Sequence, residues 1–397
     1  MKPAAVYALG AVAALVLAAP SRAASLETTP ATKPPATLET QLLAATTRHL
    51  DRLLEKPERL DALKGKSAAG MTALACDLTY EATGNTAYRT AARRLADQIL
   101  AGMRATKFGV LYIKEKTRES GEDISGGGPP ALGWYLSAVG AICHRERDRA
   151  EDLKYVAGVL DRFPWNEKGW WAATIDIHTG EPKQPLTKPS PINKNASLAM
   201  AAGLIARYLE GIDPALAARL AAKARRCLEQ QILPAQENDG FWHYGLTGND
   251  PKEKDVYGYF MLTTSMLLQW RELGGLPPGP QCAAALEKAG GFARDNLAPI
   301  TDPNRGTSPR AHATRGTPER FNVAEETKRG FQLGVVLLGT HHYEEGAKIA
   351  AYALQHFPFG DQGQEAAQAV YYSALMSALL RHAPPIPVPG APMPKSE

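Results

Sequence analysis

The densest chemistry in this chain lies in Asp239-Gly-Phe-Trp-His-Tyr-Gly and, shortly after it, Asp255-Val-Tyr-Gly-Tyr. Trp242, His243 and Tyr244 stand in a row, with Tyr257 and Tyr259 behind them. Imidazole and phenol serve as base and acid when their surroundings tune them. The faces of Trp242 and Tyr259 suit stacking on a sugar ring, although the same residues also build structural aromatic turns. A second set is Asn193, Lys194 and Asn195. Amides and an ammonium neutralise a carboxylate by hydrogen bonding and charge, and Asn is equally a favoured helix N-cap. A third set is acidic: Glu122, Asp123, Asp239, Asp255, Glu325 and Glu326. Two such acids about 6.5–9.5 Å apart would suit an inverting glycosidase, while acids in a helix's first turn also complement its dipole.

Basic residues cluster in two stretches. Residues 297–322 carry Arg305, Arg310, His312, Arg315 and Arg320, and residues 164–193 carry Lys168, Lys183 and Lys188. Arg binds carboxylates in bidentate fashion, so these stretches are candidates for holding an acidic chain, or are solvated loop charges. Trp171 adds a candidate sugar platform. Other signals carry less. Cys143-His144 has no second metal-spaced set, His341-His342 lacks zincin spacing, and Gly126-Gly-Gly-Pro-Pro lacks the Lys and Ser/Thr of a phosphate loop. No dinucleotide fingerprint occurs, so neither a cofactor nor a metal is expected.

What positions these residues is a rhythm of helices. Six apolar segments run roughly 67–83, 129–145, 194–210, 255–273, 323–338 and 365–381. Each follows an amphipathic stretch: roughly 38–55, 86–104, 150–163, 213–231, 280–296 and 343–356. Helices apolar all round are buried, whereas amphipathic ones face solvent on one side. The pattern predicts an inner and an outer set, six helical hairpins in all. Small residues such as Ala199, Ala202 and Gly203 let inner backbones approach. Gly84, Gly211 and Gly339 fall where helix ends use a left-handed residue. Connectors into the apolar helices are mostly long (105–128, 164–193, 232–254 and 297–322), and those leading out are short. Every long connector therefore falls on one rim, where function concentrates. Phe108-Gly-Val-Leu-Tyr-Ile and Trp170 to Ile177 alternate like short strands and predict small β flaps on that rim.

Six inner and six outer helices resemble the (α/α)6 toroid shared by six-hairpin glycosidases, several polysaccharide lyases and uronyl epimerase domains. Asp239-Gly-Phe-Trp-His-Tyr-Gly followed by Asp255 looks like that superfamily's aromatic turn before an acid that opens an inner helix. Pro191-Ile-Asn-Lys-Asn-Ala-Ser is similar to the polar start of another inner helix. The fold resemblance covers about residues 38–381. It implies an all-α fold and a carbohydrate-active enzyme. With a mouth rich in Asn, Tyr, His and Arg, the expected chemistry is that of a lyase or epimerase on a uronic-acid polysaccharide. Asn195 and Lys194 would neutralise the carboxylate. Tyr244, Tyr257 or His243 would move the proton, with Asp255 at the helix start. Trp171, Trp242 and Tyr259 would hold sugar rings, and Arg310, Arg315, Glu325 and Glu326 would line the mouth. An inverting glycoside hydrolase and a non-catalytic glycan-binding envelope protein are the alternatives.

The ends of the chain point to export. Lys2, the apolar run Ala4 to Ala19 and Ser21-Arg22-Ala23 read as a signal peptide over residues 1–23, followed by a flexible linker over 24–37. The toroid domain then spans 38–382, and 383–397 is a Pro-rich tail. The apolar run is too short for a good membrane span, so no stable membrane anchor is expected. The expected location is the periplasm or beyond. The formal net charge is +4, and no basic cluster interleaved with aromatics signals nucleic acid. Four cysteines in an exported chain allow disulfides. Cys76 and Cys143 occupy matching halves of successive apolar segments, but buried free thiols are the favoured reading.

Overall fold

The computed structural model describes residues 37–63, 67–109, 113–116, 123–127, 129–176, 179–187, 190–243, 257–274, 279–295, 297–299, 309–311, 323–356, 359, 364–381, 383 and 386. The segments expected to be a signal peptide and a linker, and most of the expected Pro-rich tail, lie outside them. The helices are α1 (Leu38–Leu54), α2 (Pro57–Asp61), α3 (Ser67–Thr83), α4 (Thr86–Arg104), α5 (Pro129–Arg145), α6 (Ala150–Arg162), α7 (Ile192–Leu209), α8 (Pro214–Cys227), α9 (Tyr257–Glu272), α10 (Pro280–Asp295), α11 (Val323–Gly339), α12 (Tyr343–His356) and α13 (Gln364–Leu380). All twelve expected helices form. The short α2 is an addition, started by Pro57 at a first-turn position where its missing N–H costs nothing.

The apolar helices close a ring. α3 packs on α5, α5 on α7, α7 on α9, α9 on α11, α11 on α13, and α13 returns to α3. The amphipathic helices lie outside: α1 against α13, α4 against α3, α6 against α5, α8 against α7, α10 against α9, and α12 against α11. α7 shows why. From Ile192 to Leu209 all its residues except Lys194, Arg207 and Tyr208 are buried, so it stays dry only with neighbours on every side.

Tight turns join α3 to α4, α5 to α6, α7 to α8 and α11 to α12. Gly84 takes a positive φ of 68° and donates its N–H to Tyr80 O at 2.7 Å, a left-handed helix end. Asn85 then caps α4, its Oδ1 accepting from Ala87 N at 3.0 Å. The other two expected left-handed glycines behave differently. Gly211 has no positive φ, and at the α11 end His341 takes that conformation instead (φ 67°). Gly339 remains helical, and a Cβ there would meet Leu268 at 2.8 Å. Its smallness serves close approach to α9.

An ionic network fills the tight-turn side of the first hairpins. Arg145 Nε reaches Asp77 Oδ1 at 2.8 Å, and the guanidinium also meets Glu81. Arg149 meets Asp97 at 2.7 Å and Asp152 at 2.9 Å, with Glu146 at 3.7 Å. Burial pushes the Asp77 carboxyl up to about 6 even beside Arg145, because desolvation penalises the charged form.

All four cysteines are free and buried. Burial pushes Cys76, Cys143 and Cys282 up to about 12 and Cys227 well above its ordinary value. Only thiolates react quickly. The native protein is therefore expected to give no fast reaction with Ellman's reagent at pH 8, and four thiols in denaturant. A denatured count of two would reveal a disulfide. Among the described residues no helix is long and apolar enough to cross a membrane.

Candidate functional site

Long connectors meet around the start of α7. Strands β1 (Ile113–Lys116) and β2 (Asp123–Gly127) form a hairpin between α4 and α5, and β3 (Trp165–Asn166), β4 (Trp170–Trp171) and β5 (Ile175–Asp176) lie between α6 and α7. β2 pairs antiparallel with both β1 and β5, with Gly126 opposite Asp176, while β3 pairs with β4. Of the stretch 108–113 expected to form the first flap, residues 110–112 lie outside the described residues. Phe108 and Gly109 lie in a bend, Gly109 with φ 85°, and Ile113 is in the described strand β1. A further hairpin, β6 (Leu297–Pro299) with β7 (Pro309–Ala311), sits between α10 and α11.

Asn195 braces this junction from inside. It is fully buried. Its Oδ1 accepts from Trp171 N at 3.1 Å, and its Nδ2 donates to Ser190 O at 3.1 Å and Pro191 O at 3.4 Å. An amide committed to three backbone groups has no capacity left for a substrate carboxylate, so the expectation of Asn195 as a catalytic group is corrected to a positioning role. It is not a cap either, since α7 is preceded by Pro191 without a side-chain cap. The neighbouring Lys194 is half-buried, its Nζ donating to Ala173 O at 3.4 Å.

Trp171 and Trp242 are likewise corrected. Both are 1% exposed. Trp171 packs edge-on against Trp165 at 4.5 Å, and Trp242 stacks on Phe260 at 6.3 Å while donating Nε1–H to Ile232 O at 2.9 Å. Neither ring has a face free for a sugar. Tyr259, on the first turn of α9, is 38% exposed and does offer aromatic surface.

The segment after α8 is a built turn. α8 runs through a π-turn (Leu228–Ile232) into a short 3-10 turn (Leu233–Ala235), and Gln231 donates to Lys168 O, tying it to the α6–α7 connector. Asp239 Oδ1 accepts from Phe241 N at 3.1 Å, so this acid shapes the turn. Gly240 has φ 100°, and a Cβ there would lie 2.3 Å from Lys288 O. Conformation and space both demand glycine in that Asp-Gly pair. Phe241 packs on Phe260 and Phe292 at 5.3 and 5.2 Å, seating the turn between α9 and α10.

At the end of this turn His243 Nε2 meets Glu237 Oε1. The imidazole side chain is 21% exposed, and Phe241 lies edge-on to it at 5.6 Å. A carboxylate on one ring nitrogen orients the imidazole and selects the tautomer that donates to it. Glu237 was not among the residues picked out from the sequence. Its only signal is lying six positions before His243 in a turn that folds back on itself.

Tyr244, Asp255 and Arg315 lie outside the described residues. Tyr257 opens α9, Glu325 and Glu326 lie in the first turn of α11, and Arg310 sits in β7 opposite Ala298. Their side chains are not among those described. Among the described residues no group of three or more His, Cys, Asp or Glu is arranged to hold a metal ion.

No family model and no curated protein matches the chain. Solved structures do match in fold. A D-mannose isomerase aligns with TM-score 0.56 and 12% identity over 88% of this chain and 100% of that one. An unsaturated glucuronyl hydrolase specific for heparin gives 0.54 and 10% over 86% and 97%. A polysaccharide lyase gives 0.51 and 10% over 86% and 98%. At such identities the likeness is one of fold. The chain is an (α/α)6 toroid, the architecture those carbohydrate-active enzymes share.

Proposed function

We propose that this protein is an exported carbohydrate-active enzyme that breaks or epimerises a uronic-acid polysaccharide by removing the proton beside the carboxylate. The observation that carries this reading is the Glu237–His243 pair at the end of the turn leading into α9. A half-buried imidazole held by a carboxylate is equipped to accept a proton at C5 of a uronate. Lys194, at the start of α7, supplies positive charge for the carboxylate, which lowers the cost of the carbanion-like transition state. Arg310 and Arg315 belong to the same reading as contacts for an acidic chain. Tyr259 offers its exposed ring to a sugar. In elimination the C5–H bond breaks, a C4–C5 double bond forms, and the C4–O bond to the leaving sugar breaks. The leaving oxygen takes a proton from Tyr244 or Tyr257. In epimerisation the proton returns to the opposite face. Fold likeness to a polysaccharide lyase and a glucuronyl hydrolase supports the substrate class. The signal-peptide pattern of residues 1–23 supports export.

The test is incubation with alginate, pectate and glycosaminoglycans while ultraviolet absorbance is followed. Elimination creates a conjugated chromophore, and His243→Ala is expected to slow its appearance at least about a hundredfold. New reducing ends without absorbance would assign hydrolysis instead. Altered uronate stereochemistry without either would assign epimerisation. Binding without any product would make the protein a glycan-binding module.

A further inference from the structure

An open groove lies on the outer wall, along α8. Its volume is about 690 Å³, in the range of ligand pockets. Trp165 of β3 forms one side, and the solvent face of α8 forms the other. Ala218, Ala221 and Ala222 lie between them, and their short side chains keep the space open. From Ala218 to Glu229 the groove extends about 16 Å, at the rise of a helix.

Its charge is only partly neutralised. Lys223, Arg225 and Arg226 line it with one acid, Glu229. Lys223 meets Asp161 at 2.9 Å. Among the described residues Arg225 has no ion-pair partner, and Arg226 donates only to the Glu167 carbonyl, at 3.3 Å. Both guanidiniums are exposed, so two bidentate donors for carboxylates stand side by side. The indole beside them is fixed from behind. Trp165 is half-buried and edge-on to Trp171 at 4.5 Å, and the Trp171 N–H is held by Asn195. Among the described residues no cation lies over the Trp165 ring, and no group accepts from its Nε1–H. An aromatic surface already held in place loses little freedom when a ligand settles on it. The groove also starts at the functional rim. Glu229 and Gln230 belong to the π-turn that continues into the turn carrying His243, and Gln231 of that π-turn holds the Lys168 carbonyl.

We propose that this groove is a second binding site, for an acidic polysaccharide, which grips the chain on the outside of the toroid while the reacting uronate lies at the rim. Each residue of a uronan offers a C–H face to the indole and a carboxylate to a guanidinium. An acidic peptide has the carboxylates without that rigid face, and a neutral glycan has the face without the charge. Two sites engaged by one polymer reinforce each other through effective concentration, so long chains are retained better than short ones. This inference rests on the proposed function in taking the polymer to be a uronan.

The test is affinity electrophoresis and calorimetric titration of the full chain with alginate, pectate and glycosaminoglycans, beside neutral dextran, polyglutamate and oligothymidylate. Ala222→Glu separates binding from folding. Residue 222 is exposed, and a glutamate there stands three and four residues before Arg225 and Arg226, a spacing that supports a helix. Its melting temperature should equal or exceed that of the wild type, while affinity for at least one uronan falls about tenfold or more as the guanidiniums are claimed. Trp165→Ala and the double variant R225A/R226A should each weaken the same binding about tenfold, with a larger loss for the polymer than for its tetrasaccharides. The inference is overturned if no uronan binds, or if folded Ala222→Glu or folded Trp165→Ala binds uronans as the wild type does. It is equally overturned if dextran, polyglutamate or oligothymidylate binds as tightly as the uronan. Uronan elimination by the wild type, with uronan binding unaltered in all three variants, would sink this inference and spare the proposed function. Variant-sensitive uronan binding without any uronan product would do the reverse.

Discussion

Asn195→Leu is expected to cost about 3 kcal/mol of folding stability, because it strands at least two buried backbone groups at about 1–3 kcal/mol each. Leucine fills similar space, so the loss is polar in origin. Trp171 N–H loses its acceptor, and Ser190 O loses its donor, in a place where the residue itself is fully enclosed. Denaturant melts should show a lower midpoint with an unchanged slope. Hydrogen exchange should speed up over the connector containing β3 to β5 before it does so in α7. A purely catalytic asparagine would give the opposite result, with turnover lost and the melt untouched. Wild-type stability in this variant would refute the bracing role.

Arg149→Met is expected to be worse, about 3–5 kcal/mol, the range for stripping one partner from a buried ionic group. Arg149 and Glu146 have side chains only 7% and 5% exposed. Without the arginine, Glu146 keeps, among the described residues, only Arg93 at 3.6 Å and Arg89 at 3.9 Å, both on half-exposed side chains where pairing is weak. Glu146→Gln added to Arg149→Met should recover a large part of the loss, since it removes the uncompensated charge. Urea unfolding of the two single variants and the double variant gives the coupling directly. Losses that simply add would show that the two side chains do not depend on one another.

The fold was legible because burial wrote it into composition. α7 is apolar on every face and α8 on one, and that difference alone separates an inner helix from an outer one. Local conformation was harder. Phe108 to Ile113 alternates like a strand, yet Gly109 bends it. Gly211 and Gly339 look like helix stops, yet His341 makes the turn that Gly339 was expected to make. The site was legible by location rather than by role. The turn from Asp239 to His243 was found from its sequence, but Glu237, which completes the histidine pair, reads as an ordinary surface acid until the chain doubles back. Asn195 advertises polarity at a helix start, and only burial reveals that its amide is spent on backbone. Trp171 and Trp242 suffer the same ambiguity, because a tryptophan that stacks on sugar and one that fills a core are the same letter.

The packing of α13 on α3 has a consequence for how the chain comes to be made. Five of the six inner contacts join helices consecutive in the inner series, and each can form as its second member leaves the ribosome. The sixth unites residues 67–83 with residues 364–380, and α1, which also touches α3, gains its larger packing surface on α13 only at that same late moment. Until then the nascent protein is an open arc with two sticky apolar ends, the kind of species that pairs with a copy of itself or calls for a chaperone. Synthesis of the last helix is therefore the step that turns a string of hairpins into a sealed molecule.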